Sequence, residues 1–234
     1  MDPLTTATSR DEKERGATVA ALPVGSFEQH GAYLPLITDT VIACAIAQDL
    51  SEAYGLFLLP PVTFSCSHEH VGFAGTVSIS SRTLHALITD VAESLSQTGT
   101  SRIVVVNGHG GNYVLGNVVQ EANVNDRCMS LFPSRDDWQR ARKDAQLITE
   151  GHDDMHAGEL ETSLLLHASP DLVREGYEEA DWLASDRPHL ATLGMKGYTR
   201  SGVIGRPSLG TADKGQALMQ SLRESFADHL ALLT

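Results

Sequence analysis

The feature that most constrains the fold is the alternation of short apolar segments with segments of helical periodicity along the chain. The clearest apolar segment, residues 103–106, consists of four consecutive β-branched residues, which predicts a strand buried inside a parallel sheet. The clearest helical segment is 81–98, where apolar residues such as Leu84 and Ile88 recur every three or four positions. This alternation predicts a single α/β domain with a mostly parallel central sheet flanked by helices.

The other elements are predicted from the same two patterns. The predicted strands cover residues 17–24, 56–62, 103–106 and 129–132. The predicted helices cover residues 39–54, 81–98, 114–124, 158–167 and 216–233. The first of these helices is expected to have Thr38 or Asp39 as its N-cap and to end at Gly55. Residues 135–149 are charged and are expected to be exposed, as helix or loop. Right-handed crossovers would bring the loops after the strands together along one edge of the sheet.

Length and charge exclude several classes of protein. The 234 residues fit one domain, expected at 17–234 behind a loose lead-in or short helix at 1–16. A net charge of −13 argues against a nucleic-acid-binding protein and against a protein that binds anionic membranes. The chain has no apolar run long enough for a membrane span and no signal-peptide pattern at its start, which predicts a cytoplasmic protein. The three cysteines are far apart and are expected to be reduced: Cys44, Cys66 and Cys128.

The segment 23–39 places three residues of metal-ligand type beside apolar runs. Glu28 and His30 are two positions apart, so an extended backbone directs both side chains to the same side. Asp39 follows nine positions later, and a loop can return it to the same place. Two carboxylates and an imidazole are ligands that a divalent transition metal prefers. The alternative is a solvated turn, but charges beside a core are usually paired or metal-bound.

Two later loops carry histidines directly after apolar strands. The first contains His68, Glu69 and His70, and the second, NGHGGN, places His109 between glycines that let the backbone approach a ligand. A glycine-rich turn after a strand also binds phosphate through backbone amides. The NGHGGN turn lacks the GxGxxG and GKS/T patterns and offers an imidazole at its centre, which favours a metal ligand.

A fourth segment adds a histidine and two carboxylates. His156 and Glu159 are three positions apart and would share one face of a helical turn, whereas Glu161 would reach the same cavity from the helix start. The alternative is a solvated helix N-terminus, where carboxylates are favoured by the helix dipole. The predicted metal ligands are Glu28, His30, Asp39, His109 and Glu159. Five ligands are more than one zinc ordinarily takes, and they suit two metals that share a carboxylate.

Four motifs, in this order, resemble those of the creatininase (creatinine amidohydrolase) family. They are PVGSFEQHGAYLPLITDT, EHVGFAGTVSI, NGHGGN and HAGELETSLLLH, within residues 19–170. The resemblance implies an α/β fold, a two-metal centre, a homo-oligomer and hydrolysis of a C–N amide bond. It implies that Glu28, Asp39 and His109 hold one metal and that His30 and Asp39 hold the other. His156 matches the catalytic histidine of the family, which would shuttle a proton.

The chain departs from creatininase itself at several positions. That enzyme has Tyr-Glu where this chain has Gly110 and Gly111, so a ligand of the second metal is missing from the turn. Glu159 is expected to replace that ligand, because creatininase has an apolar residue there. Glu161 matches the glutamate of the family's ETS motif and is expected in the catalytic set or as an alternative ligand. Met155 stands where creatininase has glutamate.

These departures argue against creatinine as the substrate. The chain is similar to the mycofactocin precursor peptidase of the same family in EHxxFxGTxSI, NGHGG and HAGxxETSxLLHxSPxxVR, which favours peptide cleavage. The alternatives are a creatinine amidohydrolase, a formylaminopyrimidine deformylase and a non-catalytic metal-binding paralogue. The expected cofactors are two divalent ions of Zn, Mn or Fe, and the expected assembly is a homo-oligomer, with a hexamer among the possibilities. The residues expected to face a peptide or small-molecule amide are His68, Glu69, His70, Gly110 and Gly111.

Overall fold

A computed structural model describes residues 5–234 and confirms the α/β class, with a single sheet of four parallel strands. The strands are β1 (Val19–Val24), β2 (Phe57–Leu58), β3 (Arg102–Asn107) and β4 (Met129–Phe132). Their order in the sheet is β2-β1-β3-β4. Val24 pairs with Asn107, so β1 and β3 end at the same level. The loops that follow these two central strands therefore begin side by side.

Helices cover both faces of the sheet. They are α1 (Ser9–Arg15), α2 (Thr38–Tyr54), α3 (Ser81–Ser96), α4 (Val114–Ala122), α5 (Arg135–Asp144), α6 (Glu159–Ala168), α7 (Leu190–Leu193) and α8 (Ala212–Leu233). Val104 and Val106 of β3 point into a core that they share with α2, α6 and α8. Ile103 and Val105 point to the opposite face and pack with α3 and α4. The alternation along one strand thus builds two cores and a three-layer domain.

Among the element boundaries that differ from the sequence prediction, three have a clear local reason. The predicted strand at 56–62 is reduced to Phe57–Leu58, because the two prolines that follow at 60–61 supply no N–H to the ladder. Helix α2 begins at Thr38 without a side-chain cap, and Asp39 lies inside its first turn rather than at its N-cap. Helix α8 begins four residues earlier than predicted, at Ala212, because the Thr211 side chain accepts a hydrogen bond from the N–H of Lys214.

Two segments for which the sequence left helix and loop both open, 1–16 and 135–149, each contain a helix. Residues 9–15 form α1, which buries no side chain, and residues 1–4 of the expected lead-in lie outside the described part of the chain. The domain boundary at residue 17 stays a prediction. Helix α5 occupies most of the charged segment 135–149 and buries Ala141 against α8. Within residues 5–234, no helix is both long and apolar enough to cross a membrane.

Candidate metal centre

Two glycines bring the N-terminus of α2 against the ends of β1 and β3. A side chain on Gly25 would collide with the backbone of Thr40, and one on Gly108 would collide with the carbonyl oxygen of Asp39. Because both positions lack a Cβ, the first turn of α2 lies directly on the loops that follow the two central strands. This packing places the Asp39 side chain beside the residues that leave those strands.

Four predicted ligands meet in one cluster, with Asp39 beside two of the others. Its Oδ1 lies 3.0 Å from His30 Nε2, and its Oδ2 lies 3.1 Å from His109 Nδ1. His109 Nδ1 also lies 3.3 Å from Glu28 Oε1. All four side chains are at least 95% buried. Asp39 therefore stands between two imidazoles, with one carboxylate oxygen facing each ring.

Two residues from the loop before α6 and from its first turn complete the cluster. Glu161 Oε2 lies 4.0 Å from His30 Nε2, and His156 Nδ1 lies 3.7 Å from Glu28 Oε1. His156 Nε2 donates a hydrogen bond to the carbonyl oxygen of Gln29 at 2.6 Å. Three groups have ligand atoms within 4.8 Å of one another: Glu28, His30 and His156; Glu28, Asp39 and His109; and His30, Asp39 and Glu161.

Backbone carbonyls fix which nitrogen of each imidazole carries the proton. His30 Nδ1 donates to the carbonyl oxygen of Glu28 at 3.0 Å, and His109 Nε2 donates to that of Cys66 at 2.9 Å. In the neutral rings, the other nitrogen of each histidine then has a free lone pair that points at the carboxylates. Histidine ligands of metals are oriented by outer hydrogen bonds in this way.

Unpartnered oxygen atoms show that the cluster suits divalent cations. Both carboxylate oxygens of Glu28 and Oδ2 of Asp39 are buried and accept no hydrogen bond from the described residues. Burying such a carboxylate is costly unless a cation lies beside it. The His109 Nδ1 lone pair and Asp39 Oδ2, 3.1 Å apart, would repel each other unless a proton or a metal ion lay between them.

The pKa values of the cluster are also shifted by the burial of its carboxylates. Burial raises the pKa of Glu28 to about 7 and that of Glu161 to about 8. Burial lowers the pKa of His30, but the neighbouring carboxylates of Asp39 and Glu161 more than offset this effect and raise it to about 9. The cluster therefore draws in protons to balance its carboxylates, and divalent ions would supply that positive charge instead.

The histidine loop after β2 directs its two histidines to different places, and its role in substrate contact stays a prediction. His68, Glu69 and His70 form a short 3-10 turn, and His70 is buried with its Nε2 3.1 Å from Glu28 Oε1. His68 is exposed and its Nδ1 lies 3.1 Å from the hydroxyl of Ser78. The turn thus directs one histidine into the cluster and the other towards the surface, a difference that the sequence pattern did not reveal.

The glycine turn leaves room for a carboxylate from another loop. A side chain at Gly111 would collide with the carboxylate of Glu69 and with the His109 ring. Glu69 Oε1 lies 3.4 Å from His109 Nε2. Glu69 thus fills the space beside His109 that a side chain at position 111 would need.

Glu159 does not join the cluster, contrary to the sequence prediction. Its carboxylate accepts hydrogen bonds from the N–H groups of Ile148 and Thr149 and pairs with Lys214 Nζ at 2.6 Å. His156 precedes α6 and pairs with Ile204 in a β-bridge, so the helical spacing that would align it with Glu159 does not apply. The carboxylate that reaches the cluster from α6 is that of Glu161.

Replacing Glu159 with glutamine is expected to destabilise the protein by about 2–4 kcal/mol, because Lys214 would keep a largely buried charge without its partner. Urea unfolding at fixed metal concentration measures the change. The double variant Glu159→Gln, Lys214→Met is the control and should recover part of the loss. Equal stability of the single variant and the wild type would contradict this role.

The same ion pair gives the stability a defined pH dependence. Burial opposes ionisation of Glu159, but Lys214 and the N–H groups of Ile148 and Thr149 lower its pKa below the ordinary value of 4.5. A lowered folded-state pKa stabilises the native state above that ordinary value, and the contribution is lost as the pH falls through the folded-state pKa. The stability gap between wild type and Glu159→Gln should therefore shrink in acid.

An open cleft of about 1050 Å³ leads to the cluster. His109, Gly110 and Glu161 line the cleft, together with residues of α5. The predicted contact residue Gly110 therefore faces the cleft. The role of α5 was not predicted, because its charged sequence is equally typical of a solvated helix.

The comparisons with known proteins agree with this geometry. The family model described as creatininase, creatinine amidohydrolase, matches residues 4–230. The mycofactocin precursor peptide peptidase of Mycolicibacterium smegmatis is 37% identical over 97% of this chain and 90% of its own length. The creatinine amidohydrolase of Pseudomonas putida is 28% identical over 68% of this chain and 67% of its own length.

Solved structures show the same fold. A creatininase crystal structure matches with a TM-score of 0.82 and 24% identity, covering 97% of this chain and 95% of the other. Creatininases described as a manganese form and a zinc-zinc form both match with TM-scores of 0.81. The sequence motifs, the fold and a match along nearly the whole chain lead to one conclusion: the chain belongs to the creatininase family of amidohydrolases.

Proposed function

We propose that the protein is a metal-dependent peptidase that hydrolyses a C–N amide bond in a peptide precursor. The observation that carries the proposal is a buried cluster beside the imidazoles of His30 and His109. In the described part of the chain, both carboxylate oxygens of Glu28 and Oδ2 of Asp39 lack hydrogen-bond partners there. A structural cluster would pair these carboxylates with Arg, Lys or backbone N–H groups, as the chain does for Glu159.

Two divalent ions would fit the donor set. Glu28, Asp39 and His109 would hold one ion, and His30, Asp39 and Glu161 would hold the other. Glu161 takes the part that the sequence prediction gave to Glu159. Bound there, the ions would supply a hydroxide near neutral pH and would polarise the carbonyl of the substrate. Zn, Mn and Fe all suit carboxylate and imidazole ligands.

The chain supplies the groups that manage protons and charge. His156 presents Nδ1 to the cluster, while its Nε2 is held by the Gln29 carbonyl oxygen. Burial, with the charges of His30 and His70, lowers the pKa of His156 well below its ordinary value. The neutral ring can therefore accept a proton at Nδ1 and pass it to the leaving nitrogen, which an amide requires.

The glycine turn would bind the developing oxyanion. Among the described residues, no acceptor takes a hydrogen bond from the N–H of Gly110 or Gly111. Gly110 lines the cleft, and both glycines follow His109 directly, so these two N–H groups lie next to the proposed site of reaction. Preorganised donors of this kind stabilise the tetrahedral intermediate of acyl transfer.

The size of the cleft favours a peptide over a small cyclic amide. Its volume of about 1050 Å³ exceeds what creatinine or a formylaminopyrimidine would fill. The relatives called mycofactocin precursor peptide peptidases, 33–37% identical over at least 90% of this chain, support the same choice. The near-complete ligand set argues against a non-catalytic paralogue.

We also propose a cytoplasmic homo-oligomer. Phe64 and Val77 are 49% and 45% exposed, and both lie beside Phe27, which makes a small apolar patch suited to a subunit contact. The cysteines Cys44, Cys66 and Cys128 are all free thiols, as a reducing compartment would keep them. Light scattering on the purified protein would measure the assembly.

Removing the metals is expected to abolish peptide hydrolysis reversibly. Dialysis against 1,10-phenanthroline or EDTA should reduce turnover by more than about 100-fold, because the attacking hydroxide depends on the ions. Zn²⁺, Mn²⁺ or Fe²⁺, added singly, should restore it, whereas Mg²⁺ suits the imidazole ligands poorly. Full turnover by protein shown to be metal-free would contradict the proposal.

A further inference from the structure

One wall of the cleft is built by a single face of α5. Arg135, Trp138, Gln139 and Lys143 all line the cleft. They recur at positions i, i+3, i+4 and i+8, which lie on the same side of an α-helix. The same cleft is lined by His109 and Glu161 of the cluster. A ligand in the cleft would therefore contact this helix while its scissile bond lies at the cluster.

Three positive charges along the cleft lack a carboxylate partner. Within residues 5–234, no carboxylate lies within 4.0 Å of Arg135, Lys143 or Arg187, the three residues that we call the basic wall. Arg187 is held in place by hydrogen bonds to the carbonyl oxygens of Ala184 and His152, so its charge is fixed. These bonds position the guanidinium, and Asp153, whose carboxylate lies beyond 4.0 Å, offsets part of its charge.

Most of the other charged residues that line the cleft already have a partner or belong to the metal cluster. Arg142 pairs with Asp154 at 2.9 Å and donates to the carbonyl oxygen of Thr149, so it serves the fold. Glu161 belongs to the metal cluster. Glu150 remains as the single unpaired carboxylate of the outer cleft. Three cations against Glu150 and the more distant Asp153 leave this part of the cleft with a local excess of positive charge.

This local charge is unusual in a chain whose net charge is −13. An acidic protein repels anions in general, so a patch of unpaired cations at the mouth of a cleft concentrates negatively charged ligands there. Arginine forks bind carboxylates through two parallel hydrogen bonds. Trp138, Leu147 and Leu160 add apolar surface to the same lining, which suits the side chains of a peptide.

We infer that the basic wall binds carboxylate groups of an acidic peptide whose backbone extends from the metal cluster along α5. This inference rests on the proposed peptidase function and specifies its substrate class. The carboxylates can come from Asp or Glu side chains or from a free C-terminus, since both present the same two oxygens. The wall sets which peptides bind, and it takes no part in breaking the bond.

The test compares four matched peptides. Acetyl-Ala-Asp-Ala-Ala-amide is compared with its Asn counterpart, and acetyl-tetra-alanine with a free carboxylate is compared with its amide. The readout is the quenching of Trp138 fluorescence in zinc-loaded protein that carries Trp182→Phe, with His156→Ala to prevent turnover. Trp182 is the only other tryptophan and is 44% exposed, away from the cleft lining.

We expect at least one charged peptide to bind more tightly than its neutral counterpart. The double variant Arg135→Gln, Lys143→Gln should weaken binding of the charged peptide by about 10-fold and leave the neutral one within about 2-fold. Arg140→Gln is the matched control, because Arg140 lies on α5, pairs with Asp144 and does not line the cleft. It should leave both peptides unaffected.

The outcomes separate this inference from the peptidase proposal. A preference for the aspartate peptide alone, for the free C-terminus alone, or for both supports the inference and identifies the source of the carboxylate. Equal binding of charged and neutral peptides, or equal loss in the double variant and in Arg140→Gln, overturns it. If the active protein hydrolyses peptides without any charge preference, the inference fails and the proposed function stands. Charge-dependent binding without hydrolysis by the active enzyme would instead refute the peptidase proposal.

Discussion

Replacing Glu28 with glutamine is expected to release metal from the protein and to lower kcat/KM for amide hydrolysis by about 10³-fold or more. Glu28 contributes a buried carboxylate whose oxygens accept no hydrogen bond from residues 5–234. Glutamine has the same shape but carries no negative charge, so the variant keeps the packing and loses a ligand. Elemental analysis of metal content, together with turnover of a peptide panel, measures both effects.

The control for this variant is the same substitution at Glu159. Glu159 is equally buried but bonds to Lys214 and to the N–H groups of Ile148 and Thr149. Glu159→Gln should therefore keep the metal and lose stability, whereas Glu28→Gln should lose the metal and keep its fold. Burial raises the pKa of Glu28 to about 7, so the native state already disfavours a charge at this position. Replacing the carboxylate with a neutral amide should therefore change the free energy of unfolding little. Full metal occupancy in Glu28→Gln would refute the ligand assignment.

Replacing His156 with alanine is expected to leave the metals bound and to reduce kcat by about 10²- to 10⁴-fold. His156 Nδ1 lies 3.7 Å from Glu28 Oε1, and the ring is held by the Gln29 carbonyl oxygen. The variant removes the group that would protonate the leaving nitrogen. For substrates with a better leaving group, such as a peptide anilide with an electron-withdrawing substituent, the variant should show a smaller decrease in kcat. Their leaving nitrogen depends less on protonation.

His85→Ala provides the comparison for a histidine outside the centre. His85 lies on α3 and pairs with Glu121 at the surface, so its loss should change neither metal content nor turnover. Loss of metal from His156→Ala would show that His156 is a metal ligand. Its ligand atom lies within 4.8 Å of those of Glu28 and His30, so the geometry allows that role. Unchanged kcat would remove His156 from the mechanism.

The sequence was sufficient to predict the sheet and most of the centre. The run 103–106 predicted the central strand because four β-branched residues suit only a strand buried on both faces. Glu28, His30, Asp39 and His109 follow or adjoin strand ends, and parallel topology brings such loops together. Local pattern and topology therefore agree for these residues.

The roles of residues that depend on distant partners could not be predicted from the sequence. The role of Glu159 is set by Lys214, which is 55 positions away, and by the backbone of Ile148 and Thr149. The choice between Glu159 and Glu161 also depends on where α6 begins, and boundaries are the least predictable part of a helix. The basic wall likewise depends on a distant contact, because Arg187 is held by the carbonyl oxygen of His152, 35 positions away.

The unpartnered oxygens of the centre have a consequence for the abundance of the protein. A cation that binds only the native chain draws the population away from unfolded forms in proportion to its supply. Newly made chains in a cell starved of such ions would keep mutually repelling groups in their interior and would be open to proteases for longer. Scarcity of the cofactor would then lower the number of enzyme molecules as well as the activity of each.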